Sequence, residues 1–130
     1  MPSTIPLGGD DDRLARAWLT LALAYFVGAV ALGIAMAGSH DFRLKGLHVH
    51  LNLLGWVSMA LQGAICRLYP QLGGSRLARG QFLLYQLALP PMMVGLGGLL
   101  LGQPSFEPLV AAGSSGVGLA VLLFAVAVWR

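Results

Sequence analysis

Charged side chains are scarce in this chain: Asp, Glu, Lys and Arg make up 10% of its 130 residues. An ordinary soluble domain carries about 25%, and a soluble globule with so few would lack the surface charge that keeps proteins dispersed. Cysteine is nearly absent as well. The single Cys66 cannot form an internal disulfide, and as a small apolar side chain it is expected in a packed interior. The net charge is only +3, and its basic residues fall near expected helix ends. That pattern argues for membrane topology and lipid headgroup contact, not for nucleic-acid binding. A basic n-region of the secretory type is missing from the opening MPSTIPLGGDDD. Residues 1–13 read as a mobile cytoplasmic tail.

What the sequence does have is long apolar runs, with 57% hydrophobic residues. About 20 apolar residues suffice to span a bilayer. Four segments qualify, at about 14–37, 47–69, 77–101 and 106–129, with Pro70 as a stop signal after the second. The expected fold is an all-α membrane protein, residues 14–130 forming four transmembrane helices. The short connections make successive helices antiparallel neighbours in one bundle. With both termini in the cytoplasm, the inner side carries Arg13, Arg16, Arg67, Arg76, Arg79 and Arg130, and the outer side only Arg43 and Lys45. The excess of inner basic residues favours that orientation. It places His40, His48 and His50 near the outer face, which is periplasmic if the membrane is a bacterial inner membrane.

Small residues mark expected close contacts. Ala29 with Gly33, Ala112 with Gly116 and Ser114 with Gly118 are pairs that let helix backbones approach. Pro90 and Pro91 in mid-span predict a kink near residues 87–91. Gln81 and Tyr85, four apart, share a face of the third span. Interhelical hydrogen bonding accounts for these two and for Gln86, and a quinol or proton-path role is the alternative.

The second span holds the chemistry. Ionisable side chains inside a span are costly and mark functional sites, and imidazole is the commonest metal and haem-iron ligand. His48 and His50 open this span, with Asn52 one turn further in and Trp56 one and a half turns below His50. Two residues apart on an unbroken helix means about 200° of rotation. The two imidazoles therefore point to nearly opposite sides and serve separate sites.

His48-Val49-His50, Gly63-Ala64 and Leu68-Tyr69-Pro70 together resemble the tenth helix of the haem–copper oxidase subunit I family. The run His50-Leu51-Asn52-Leu53-Leu54 resembles the second helix of its nitric-oxide-reductase branch. The likeness covers residues 47–70. It implies haem b, with His50 as the low-spin-type iron ligand and His48 as a possible ligand to a second haem or metal. It also implies an assembly. The family's subunit is three arcs of four helices, and its ligand histidines come from the second helix of each arc. This chain would be one such arc, three copies of which rebuild the twelve-helix plan as a homotrimer. Arg43 and Lys45 would then pair with haem propionates, and Trp56 would pack on the macrocycle. Met92 and Met93 are further candidate ligands, with plain packing as the alternative.

The family's copper site needs three histidines from another helix, with a tyrosine near one of them, and no expected helix besides the second carries a histidine. A complete terminal oxidase is therefore not expected, and any redox activity would run through haem alone. The functional expectation is electron transfer or binding of a diatomic gas (O₂ or NO). The alternatives are a non-haem copper or zinc protein using His40, His48 and His50, and a structural subunit whose histidines only hydrogen-bond.

Overall fold

The computed structural model describes residues 9–130, and every regular element among them is helical. Helix α1 is Asp10–Ser39. Helix α2 is Lys45–Leu68, α-helical at Lys45–His50 and Ser58–Leu68 and π-helical over Leu51–Val57 between them. A single turn, α3 (Pro70–Gly73), leads to α4 (Arg76–Leu100), and a 3₁₀ turn at Pro104–Phe106 leads to α5 (Glu107–Trp129). Four helices are long and apolar enough to cross a membrane by length and composition.

The helix ends follow from local chemistry. α1 starts at residue 10, not 14. Part of the expected tail is therefore helix, and residues 1–8 lie outside the described residues. Asp12 in the first turn suits the positive end of the helix dipole. His40 stops α1 by adopting the left-handed conformation, φ 55°. Tyr69 is held extended by the following Pro70, which ends α2. The Ser75 hydroxyl accepts from Ala78 N–H at 3.0 Å and caps α4. α4 continues through both Pro90 and Pro91.

In lipid, helix association relies on close packing and polar contacts, because the surrounding tails are as apolar as the side chains. α1 buries Ala15, Ala22, Ala29 and Met36, seven apart, together with Leu14 and Trp18. This stripe meets α2. A Cβ at Gly63 would lie 2.9 Å from Trp18 Cβ, one at Gly55 would lie 2.6 Å from the Tyr25 ring, and one at Gly33 would lie 3.0 Å from the His48 ring. α5 packs along α4. A Cβ on Gly113 would come 2.7 Å from the Met92 backbone, and one on Gly116 would come 2.7 Å from Ala88 Cβ.

Within one copy the expected close contact at Ser114 and Gly118 is not made: among the described residues nothing lies within 4 Å of a Cβ on Gly118. The contact stripe is Gly113, Gly116, Val117 and Ala120 instead, following the helical repeat around α5. α2 touches α4 near the N-terminal end of α2, where Gly46 faces Leu100 and Gly97 faces Leu47. Trp18 joins α1 to α4, edge-on to Phe82 and Tyr85 at 4.9 and 5.3 Å. α1 and α5 share no extended contact. The outward faces carry Leu23, Val27 and Ile34 on α1, Leu53 and Leu61 on α2, and Leu122 and Val126 on α5.

Candidate functional site at the head of the second span

The two histidines have different surroundings, although only two residues separate them. His48 projects into the seam between α1 and α2. Its Nδ1 lies 2.9 Å from Ala29 O, and its ring fills the space left by Gly33. The small pair Ala29 and Gly33 thus makes room for an imidazole between the helices. A carbonyl oxygen can only accept, so Nδ1 carries the proton and Nε2 the lone pair. That lone pair faces its own helix, with Asn52 Nδ2 3.5 Å away. The same Asn52 amide donates to His48 O at 2.9 Å. Asn52 therefore holds the histidine turn from one turn below.

His50 bonds back along its own helix. Its Nδ1–H donates to Gly46 O at 2.8 Å, which again fixes the tautomer with the lone pair on Nε2. Among the described residues nothing hydrogen-bonds to His50 Nε2. The ring is half-buried. Beside it the outer face of α2 carries exposed Val49, Leu53 and Val57.

Directly after His50 the helix widens into the π segment, so the geometry of an unbroken helix assumed from sequence does not extend below it. Ser58 N–H reaches back five residues to Leu53 O, and Leu54 O receives the Tyr85 hydroxyl from α4 at 2.7 Å. Gly55 lets the Tyr25 ring press against the segment from α1. Trp56 stacks on Phe26 at 4.6 Å between ring centres, so within one copy its partner is a side chain of α1.

Below the π segment lies a second polar group. Gln81 Nε2 donates to Gln62 Oε1 at 2.7 Å, and Gln62 Nε2 donates to Ser58 O at 3.2 Å. Gln81 and Tyr85 do share a face of α4, and both are essentially fully buried against α2. Trp18 Nε1, Gln81 Oε1 and Gln86 Nε2 are buried without a hydrogen-bond partner among the described residues.

In the loop between α1 and α2, Arg43 is engaged by Asp41. Its Nε and Nη2 donate to the carboxylate at 2.7–3.1 Å, and its backbone N–H adds a further bond at 3.1 Å. These hydrogen bonds hold the Asp41 carboxyl at about 2, below its usual range, and push Arg43 up. Lys45 is exposed, as is His40. Among the described residues no three His, Cys, Asp or Glu side chains come together as a metal-holding group. Met92 and Met93 are buried, Met92 where α4 backs onto Gly113 of α5. Sequence reasoning missed Tyr25, Gly55 and Phe26, whose roles depend on how α1 is rotated against α2. Compared with family models, curated proteins and solved structures, the chain matches none.

Proposed function

We propose that the chain is an integral membrane protein that binds haem b at the outer end of α2, with His50 Nε2 as axial iron ligand at a seam between copies. One observation carries the reading: His50 Nδ1–H is tied to Gly46 O, while among the described residues Nε2 has no hydrogen-bond partner. Imidazoles that ligate metals usually donate their other N–H to a carbonyl or carboxylate, which fixes the ring and raises its basicity. The residues present fit the group on that side. Bound haem iron would supply one-electron transfer, or gas binding if its sixth position stays open.

The remaining residues take supporting roles. His48 locks α1 to α2 and keeps the turn bearing His50 in place. Lys45 is the better partner for a propionate, because Arg43 is already engaged by Asp41. Val49, Leu53 and Val57 offer an apolar wall to a macrocycle. Among the described residues His48 is bonded to Ala29 O, and Met92 and Met93 are buried in α4, so in this reading a second ligand would come from a neighbouring copy or a gas.

In this reading the chain is one arc of the haem–copper oxidase plan, which calls for antiparallel neighbours. Contacts between α1 and α2 run from residues 33 and 48 through 25 and 55 to 18 and 63, as antiparallel neighbours require. Among the described residues α1 and α5 share no extended contact, which suits one arc of a larger ring. Three arcs would complete a twelve-helix ring, a homotrimer. Arg67 pairs with Asp12, Arg13 and Arg79 line one cavity, and Arg130 lines another beside Ser75. That gathers the basic residues at one end, supporting cytoplasmic termini and outward-facing histidines in a bacterial inner membrane.

Absorption spectra of the protein purified in mild detergent, oxidised and dithionite-reduced, test this reading. A Soret band with sharp reduced α and β bands is expected, lost in His50→Ala and kept in His40→Ala. A folded preparation without haem absorption, before or after incubation with hemin, would refute it.

A further inference from the structure

The π segment lies between the candidate ligand and the rest of the molecule. A helix turns about 100° per residue, and a π bulge adds one residue to a turn. The turn bearing His48 and His50 is therefore rotated by about 100° from where a straight α-helix would put it, relative to the half of α2 that carries Gln62 and Cys66. Such an insertion also leaves a carbonyl behind. Ser58 N–H goes to Leu53 O, so Leu54 O is passed over as the helix returns to α geometry. In an apolar interior a carbonyl without a donor is costly. The Tyr85 hydroxyl supplies the donor at 2.7 Å, from a side chain that is 0% exposed.

The α register would satisfy Leu54 O in another way, by giving it Ser58 N–H, the donor four residues on. The hydroxyl of Tyr85 thus removes the advantage that the α register would otherwise hold. From α1 the Tyr25 ring enters the space at Gly55, with Cδ1 and Cγ 2.6 Å from where a Cβ would stand. The segment is held by contacts from both α1 and α4.

We propose that Tyr85 is a positioning residue: its hydroxyl selects the π register of Leu51–Val57 and thereby sets the direction in which His50 faces. The register part stands on the π segment and the Tyr85–Leu54 hydrogen bond, independently of any haem. The consequence for iron rests on the reading of His50 as a haem ligand. Gln81 serves as the control, since it also joins α4 to α2 through a hydrogen bond but does not touch Leu54 O.

The test is carbon-13 carbonyl and nitrogen-15 NMR of the full chain in detergent or bilayers, comparing Tyr85→Phe with Gln81→Leu. Tyr85→Phe is expected to shift the Leu53 and Leu54 carbonyls, the Ser58 amide and the His50 ring nitrogens. Gln81→Leu is expected to leave the Leu53, Leu54 and His50 signals at wild-type positions. In haem-loaded protein, Tyr85→Phe is expected to change the g-values of the ferric spectrum with haem content unchanged. Wild-type carbonyl shifts at 53 and 54 in Tyr85→Phe would overturn the proposal, as would equal shifts in both variants. If no haem is taken up, the haem reading fails and the carbonyl shifts still decide the register. If Tyr85→Phe does not fold, deleting the exposed Leu53 in that background removes the extra residue and the passed-over carbonyl together. Folding is then expected to return, and failure of the deletion to restore it would contradict the proposal.

Discussion

Replacing Gln62 by Leu breaks the polar link between α2 and α4 from one side. Gln81 is 1% exposed and already has an unpartnered Oε1. In the variant its Nε2 loses its acceptor too, and the whole amide is buried without a bond. A buried donor left unsatisfied costs about 1–3 kcal/mol. Polar pairs in membrane interiors average about 0.6 kcal/mol of coupling, with a maximum near 1.7. The 2.7 Å bond and complete burial place this pair at the upper end, at about 1.5 kcal/mol. Gln81→Leu instead leaves Gln62 Oε1 alone, which is milder because Gln62 Nε2 keeps Ser58 O. The double variant removes both amides and puts two apolar side chains in contact, so it should be more stable than either single change predicts. The assay is reversible unfolding in mixed detergent micelles, followed by tryptophan fluorescence, in a full double-mutant cycle. Additive single effects would refute the idea that these two amides satisfy one another.

Gly113→Ala should destabilise the α4–α5 pair by about 1–3 kcal/mol, because its Cβ would meet the Met92 backbone at 2.7 Å and backbone cannot step aside. Gly118→Ala, facing open space, should change stability little in the same unfolding assay. The loop between α1 and α2 has an acid limit. The Asp41 carboxyl is depressed from 3.8 to about 2 in the folded chain, so its bond to Arg43 is fully present above its unfolded value and is lost as pH falls through about 2. The side-chain carboxyl carbon-13 shift of Asp41 should titrate there, and Arg43→Gln should bring the midpoint back toward about 4.

The spans were legible because twenty-residue apolar runs have few alternative folds. The four observed helices begin and end within four residues of the runs read from sequence. The polar positions were legible too: Gln62, Gln81, Tyr85, Asn52 and both histidines stand out in apolar segments. Their partners were not. Gln81 finds Gln62 nineteen residues away and Tyr85 finds Leu54 thirty-one away, and both pairings need the relative rotation of two helices. The π segment left no mark in composition, since Leu51–Val57 reads like any apolar stretch. It is sustained by a hydroxyl from α4 and a gap at Gly55 filled from α1. The opposed directions read from an unbroken helix gave the right sense that His48 and His50 have separate surroundings. They did not show that one ring would be spent on joining α1 to α2.

Native mass spectrometry of the detergent-purified protein is the most direct measurement of the central claim. The account predicts an oligomer of identical chains, three by the arc argument, that carries protoporphyrin iron and loses that mass in His50→Ala while His48→Ala keeps part of it. A folded chain that stays free of haem when hemin is supplied, or one whose haem survives His50→Ala, would contradict it.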